Sequence, residues 1–365
     1  MMTIVGQKNC EIRQVIMMGW DLLFNEAMEF DSKPFESKIS MAAIGVGGAG
    51  CNTINTLSMI GLNDVKLISI NTDKLSLDSS NATIKFLLGR KITNGQSTSG
   101  NLELGQRVAE LSINEIKEKI MGNDIVFIIA GLGGGTGGGA GPVIAQIARS
   151  TGALVISIVS LPFTAEGKKK GEVAKLSLEK FFRNSNTVIV LENDTLLTIA
   201  PKLPLQKAFR IMDYLISDII KNISETINKP SMIHIDYADL MKIMKNGGSS
   251  TIMYGEGELN NIQGLVEDTL KNKFYNVDHT TAGGALINIV SGPDMSLSMM
   301  NAIVERITDG MDSNSDIKVG TRIDEEMMNK IKITAIFTNV KYNVGTRKVS
   351  IVKDEAFSDV DSLFP

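Results

Sequence analysis

The sequence predicts an α/β protein in which a parallel sheet carries ligand loops and a long helix leads on to a smaller second α/β domain. Two observations support this. The first is the run Gly131–Pro142, GLGGGTGGGAGP, in which eight of twelve residues are glycine. Asp124–Ala130 ahead of it reads as a buried strand, and Val143–Arg149 behind it has the apolar spacing of a helix. The second is that several other apolar strands also end in polar or glycine-rich loops before a helical stretch, the pattern of a parallel sheet with crossover helices.

The glycine run carries chemistry because a strand-to-helix loop without side chains leaves its backbone N–H groups bare and lets a ligand approach. The following helix start adds its dipole, which makes the place suited to phosphate. A flexible linker is the plainer reading, but linkers are rarely gripped between a buried strand and a helix.

Composition narrows the class. With 365 residues, 43% hydrophobic and 21% charged, the chain has the make-up of an ordinary globular protein of about two domains. A net charge of −4 gives no electrostatic reason to expect nucleic acid. Two cysteines, Cys10 and Cys51, imply no disulfide framework and fit a reducing, cytoplasmic compartment. The stretch from Ile125 to Ala165, whose one charge is Arg149, contains the glycine cluster and two prolines, so no continuous membrane helix is expected there.

In order, residues 1–37 read as a helical extension ending near Pro34. Lys38–Ile44 reads as a strand running into Gly45-Val46-Gly47-Gly48-Ala49-Gly50-Cys51-Asn52, with helical spacing through Ile54, Leu57 and Ile60. This is GxGxxG on a strand–turn–helix, the dinucleotide fingerprint. The next strand, Val65–Ile70, ends in Asn71-Thr72-Asp73, whose acid could hold a ribose hydroxyl, so a nicotinamide-dependent oxidoreductase stays open at this point. Thr93–Gly105 is a polar loop, and Glu103–Gly122 reads as one helix. Ala153–Ser160 and Thr187–Leu191 are strands, with the helix Glu172–Phe182 between them. Loops after Ile44, Ile70, Phe86, Ala130, Ser160 and Leu191 should converge on one ligand at the carboxyl ends of the strands.

Pro204–Lys229 is a long helix whose apolar stripe is wide enough to be buried against more than one partner, with Asp213 on or near it. Ser231–Lys245 places Asp236 and Asp239 at the start of a further helix, where acids ordinarily serve as caps and dipole partners. From Gly247 the pattern becomes antiparallel-looking strands, Ser250–Tyr254, Gly284–Ser291, Asp316–Thr321 and Lys332–Thr338, with helices near Asn261–Lys271 and Leu297–Thr308. The last residues, Gly345–Pro365, form an acidic tail ending in Val360, Leu363 and Phe364. No zinc-type spacing, Walker lysine or serine–histidine–acid set is found, and no protein-held metal is expected.

Together, GVGGAGCN at 45–52 and GGGTGGG at 133–139 resemble the first and fourth nucleotide loops of the tubulin/FtsZ family, most closely its archaeal members. The likeness spans about residues 38–340. Asn71-Thr72-Asp73, Leu161-Pro162-Phe163 through Glu166-Gly167, Asn193-Asp194, and Ala208-Phe209 with Asp213 resemble further family loops, and HIDYAD at 234–239 resembles its NxDxxD loop. The resemblance implies a Rossmann-like GTP-binding domain over 38–203, a central helix over 204–229, a GTPase-activating domain over 230–344, and flexible ends.

It implies a set of roles. Gly47, Gly48, Ala49 and Asn52 of the first loop, Asn71 and Asp73 of the second, Gly100 of the third, and Gly133, Gly134, Gly135, Thr136, Gly137 and Gly138 would surround the nucleotide, mostly its phosphates. Glu166 would bind ribose, with Lys170 beside it. Asn193 and Asp213 would read guanine, whose N1–H and 2-amino donors match a carboxylate, and Phe209 would lie against the base. Magnesium would sit on phosphate oxygens and water. Asp236, Asp239 and His234 would be catalytic, yet helix rise alone puts them roughly 35 Å from the base-reading end. They would therefore complete the site of the next subunit in a head-to-tail filament.

The implied protein is a GTPase of cell division, acting at the division site and tied to the membrane by a SepF-like adaptor on its tail. The alternative is a nucleotide-binding polymer or regulator with weak or no hydrolysis. Three positions depart from the family pattern. Ser97-Thr98-Ser99-Gly100 stands for the usual GAGG, Lys170 for an arginine, and His234 for an asparagine.

Overall fold

The computed structural model describes residues 38–340 apart from 63, 200, 201, 203, 230, 232, 234, 246, 247 and 271–277. The extension expected over 1–37, the tail from 345 and His234 lie outside the described residues.

The first half alternates strand and helix. Strands β1 (Met41–Val46), β2 (Val65–Asn71), β3 (Ile84–Leu87), β4 (Ile125–Gly131), β5 (Leu154–Leu161) and β6 (Thr187–Glu192) pair in parallel in the order β3-β2-β1-β4-β5-β6. Helices α1 (Gly47–Ile60), α2 (Lys74–Asp78), α3 (Arg90–Thr93), α4 (Leu102–Glu110), α5 (Ile113–Ile120), α6 (Gly141–Ser150), α7 (Lys168–Asn184) and α8 (Asp194–Ile199) intervene. The long helix α9 (Leu205–Asn228) and α10 (Tyr237–Met244) lead to β7 (Gly248–Glu258), then α11 (Ile262–Leu270), β8 (Gly284–Ser291), α12 (Leu297–Thr308), β9 (Asp316–Ile323) and β10 (Lys330–Thr338).

Strand alternation puts successive side chains on opposite faces of the first sheet. Phe127, Ile129, Ile156 and Ile158 face α1 and α9, whereas Val126, Ile128, Val155 and Val159 face α4, α6 and α7. The stripe of α9 (Met212, Ile216, Ile219, Ile220, Ile223, Ile227) shares its core with Ile252, Leu286 and Ile336 from the second half. That double burial is what its width predicts. Ion pairs Glu225–Arg322 at 3.0 Å and Asp218–Lys332 at 3.4 Å fasten the same helix to β9 and β10.

One sheet of ten strands runs through both halves, in the order β3-β2-β1-β4-β5-β6-β7-β10-β8-β9. The join is β7. Its residues Gly248–Ser250 pair in parallel with Thr187–Ile189 of β6, and Thr251–Glu258 pair antiparallel with β10.

Two expectations need correction. The stretch 103–122 is not one helix but two, α4 and α5, parted at Leu111–Ser112. Packing explains the break: Gly105 of α4 lies so close to the backbone of Gly135 that no Cβ fits, so α4 follows the glycine loop, while α5 buries Ile116 and Ile120 on the sheet. The second half is also not wholly antiparallel, because β8 and β9 run parallel from Gly284↔Asp316 to Ser291↔Ile323. Helix α12 between them supplies the crossover that a parallel pair requires.

Candidate functional site

A cleft of about 450 Å³ lies at the carboxyl ends of the parallel strands. The β1–α1 turn forms one wall. Gly47 takes φ +74°, which glycine adopts without cost, and a Cβ on Gly50 would fall 2.5 Å from the Ile129 carbonyl. Those two glycines bring the start of α1 against the sheet. No side chain caps that start and no acid occupies its first turn, so its N–H groups face the cleft unsatisfied.

The glycine run forms the floor. Gly133 has φ +91°, Gly134 borders open space, and Thr136–Ala140 make a turn of π-helix that continues into α6. Such turns open the hydrogen-bond ladder, and this one is uncapped too. Among the described lining residues there is no lysine or arginine, and three are acids: Asp73, Glu166 and Asp213. An anion here would be held by backbone and dipole.

The far end has the character of a base pocket. Asp213 accepts a hydrogen bond from the Thr53 hydroxyl at 2.6 Å, and burial pushes its pKa from 3.8 up to about 6, with the Thr53 bond opposing the rise. Asn193 is 7% exposed and its Oδ1 has no hydrogen-bond partner among the described residues. Phe209, 41% exposed, stands edge-on to Phe163 with centroids 5.6 Å apart. Two acceptors and an uncovered ring thus await a planar group with adjacent donors.

The cleft gathers Gly47, Gly48, Ala49, Asn52, Asn71, Asp73, Gly100, Gly134, Gly135, Thr136, Gly137, Glu166, Asn193, Phe209 and Asp213. It does not gather Gly133, Gly138 or Lys170. A Cβ on Gly138 would strike the Ser177 hydroxyl and come within 2.9 Å of Leu102, so this glycine serves close packing between α4 and α7. The Lys170 ammonium instead sits 2.9 Å from Glu166, whose other oxygen accepts from the Phe163 N–H at 2.8 Å. Asp73 is the N-cap of α2, accepting from Leu75 N–H at 3.0 Å, and Asn71 in turn accepts from the Asp73 N–H at 3.2 Å.

Asp236 and Asp239 lie apart from the cleft, beyond the far end of α9. Asp236 caps α10 by accepting from the Asp239 N–H at 2.7 Å. The Asp239 carboxylate pairs with Lys318 of β9 at 2.5 Å, which raises the lysine pKa. Ile233 bridges to Thr321, so the segment before α10 is pinned to β9.

Sequence reasoning missed Thr53, Ser160, Met212 and Ile216, which also line the cleft, and it had placed Pro162 in a nucleotide loop without giving it a role. Thr53 lies one helical turn after Ala49, and Met212 and Ile216 flank Asp213 on its helix, so helical spacing from the predicted residues would have found these three.

Comparison with known proteins follows the same division. A family profile for the "Tubulin/FtsZ family, GTPase domain" matches residues 40–201, and one for the "FtsZ family, C-terminal domain" matches 248–341. The chain is 39% identical over 324 residues to Cell division protein FtsZ 2 of Halobacterium salinarum, covering 87% of this chain and 82% of that one. It is 40% identical over 305 residues to Cell division protein FtsZ 2 of Methanocaldococcus jannaschii, covering 82% and 80%. Among solved structures it superposes on an empty FtsZ dimer from M. jannaschii with a TM-score of 0.78 and 33% identity, covering 92% and 99% of the two chains.

Proposed function

Since the chain belongs to the tubulin/FtsZ family, we propose that its cleft and its Asp236–Asp239 turn are the two halves of one GTPase site, joined when subunits stack head to tail. The protein is a GTP-dependent filament former of the FtsZ cell-division type, and its reaction is hydrolysis of GTP to GDP and phosphate. The observation that carries the shared-site reading is the separation of the acids from the cleft. Among the cleft residues Asp213 faces the base end, Asp73 caps α2 and Glu166 is engaged by Lys170, so none is free to polarise a water at the phosphates. Asp236 and Asp239 can do so only for a neighbour's nucleotide.

In this reading the open starts of α1 and of the π turn hold the phosphates. Glu166 meets the ribose, Phe209 covers the base, and Asn193 with Asp213 accepts the guanine donors. Lys170 assists by holding Glu166 in place. With no lysine or arginine among the described lining residues, the charge of a triphosphate would fall to a divalent cation. Magnesium would supply that neutralisation, held by the nucleotide rather than by a protein cage. Residues 38–203 would then bind nucleotide, 204–229 connect, and 230–344 activate.

Such an interface is heterologous and does not close on itself, so a filament is its product. Among the described residues no helix is long and apolar enough to cross a membrane. We assign attachment at the division site to a SepF-like adaptor that binds residues 350–365. Deleting them should leave sedimentation with GTP intact and abolish recruitment to the membrane, and normal recruitment of the truncated chain would rule the tail out.

The deciding experiment is GTP turnover against protein concentration, with sedimentation in parallel, for wild type and Asp239→Ala. A shared site requires wild-type turnover per subunit to rise above a threshold concentration, while the variant pellets without hydrolysing. If wild type pellets with GTP but turnover stays near zero at all concentrations, the protein is a polymer without useful hydrolysis.

A further inference from the structure

Three buried threonines meet beneath the phosphate floor of the cleft. Thr72 follows β2, Thr98 belongs to the Ser97–Gly100 loop, and Thr136 opens the π turn; their exposures are 0%, 3% and 7%. The Thr136 Oγ1 lies 2.8 Å from that of Thr72 and 3.1 Å from that of Thr98. Neither Thr72 nor Thr98 makes another side-chain hydrogen bond among the described residues.

That geometry fixes where the protons go. Three hydroxyls hold three protons, and the two contacts use two of them. Were Thr136 to donate to Thr72 or Thr98, the receiving hydroxyl would keep a buried proton with no acceptor among the described residues, an arrangement that burial penalises. Donation by both neighbours into Thr136 satisfies each buried proton. It leaves the Thr136 proton alone uncommitted, and Thr136 lines the cleft and is the most exposed of the three.

We infer that Thr98 is a positioning residue, which together with Thr72 orients the Thr136 hydroxyl as a fixed donor to the phosphate chain of the nucleotide. The inference rests on the nucleotide reading of the cleft. It gives the departure at 97–99 a physical purpose. Where the family loop has small residues, this chain spends a threonine to set the phosphate loop before the ligand arrives. The loop is built around it: the Thr98 carbonyl accepts from the Asn101 N–H at 2.9 Å, and Gly135 lies so close to the Thr98 hydroxyl that a side chain there is excluded.

The test is competition binding of guanosine, GDP and GTP to the full chain, comparing wild type with Thr98→Val, Thr98→Ser, Thr136→Val and the Thr98→Val/Thr136→Val double variant. One hydrogen bond to a charged acceptor implies that Thr98→Val weakens GTP about tenfold. Guanosine binding should not change, and this also verifies that the variant is folded. Thr98→Ser should restore wild-type affinity, and Thr98→Val should add nothing once Thr136 is valine. Wild-type GTP affinity in Thr98→Val, or an equal loss for guanosine, overturns the inference while leaving the functional reading intact. Failure of wild type itself to bind GTP would sink both.

Discussion

Replacing Asp213 by asparagine tests the base-reading end of the cleft by two independent measurements. The carboxylate is buried, and burial places its pKa near 6 against an ordinary 3.8. That difference, about two pH units, means that ionising Asp213 costs the empty fold about 3 kcal/mol. The sign follows from linkage. A folded pKa above the unfolded one gives stability that is fully present below about pH 4 and is lost as the pH rises through about 6. Asp213→Asn, which cannot ionise, should therefore stabilise the nucleotide-free protein by about 2–3 kcal/mol at pH 7.5, with the difference from wild type shrinking towards zero at pH 4. Binding should move the other way. Guanine offers two adjacent donors, and asparagine can accept only one of them while its own NH₂ opposes the other. The loss is about 2–4 kcal/mol, or roughly 30- to 1,000-fold in GTP affinity. Xanthine carries an oxygen in place of the 2-amino group and matches asparagine, so XTP should bind the variant better than GTP. Wild-type GTP affinity should be level above pH 7 and fall about tenfold per unit below pH 6. Fluorescence competition and urea unfolding across pH read all of this. A variant that keeps GTP over XTP, or gains no stability at pH 7.5, would refute the assignment of Asp213.

The glycine loop separates packing from binding. Gly138→Ala should lose roughly 1–3 kcal/mol of stability, read by denaturant unfolding, because its Cβ meets Ser177 and Leu102. Gly134→Ala, which borders open space, should unfold like wild type and lose only nucleotide affinity; equal stability loss in both would contradict this division. Lys318→Ala should lower turnover several-fold without changing sedimentation, since Asp239 loses the partner that fixes its rotamer, and Lys318→Arg should recover most of it. Unchanged turnover in the alanine variant would show that the ion pair is incidental. His234→Asn should flatten the turnover–pH profile between about pH 5.5 and 8, because an imidazole titrates there and an amide does not; identical profiles would remove His234 from the chemistry.

Much of the site is legible in the sequence because its information is local. A strand, a glycine run and a helix start sit within a few residues of one another, so Gly47, Gly48, Ala49, Asn52 and Gly134–Gly137 could be placed in the cleft from spacing. Where caps and periodicity agree, boundaries follow as well: β8 and α12 fall on Gly284–Ser291 and Leu297–Thr308, the limits read from the chain. What escaped is set by contacts between distant segments. Thr53 meets Asp213 across 160 positions and Thr72 meets Thr136 across 64, and no periodicity encodes either pairing. The break in 103–122 was equally hidden, since every residue near Leu111 tolerates a helix and only the docking of Gly105 on Gly135 ends it. The parallel pairing of β8 with β9 depends on which edge the chain chooses after α12, a choice made by the neighbouring core rather than by the strands.

The double membership of β7 imposes an order on synthesis. When the ribosome has released Glu192, β6 is complete but its outer edge has no partner, and that edge is apolar: Val188, Ile189, Val190 and Leu191 are all buried in the finished fold. The partner residues, Gly248–Ser250, emerge about 60 residues later, a delay of roughly 3–12 s at typical elongation rates. Through that interval the newborn chain holds an open sheet edge of the kind that recruits other chains. Helix α9, made in the same interval, can cover the adjoining sheet face but cannot supply the missing backbone partners. Slow codons or a stall between 192 and 250 would therefore be felt as aggregation, whereas the same pause after 258 would find the edge already closed by β7.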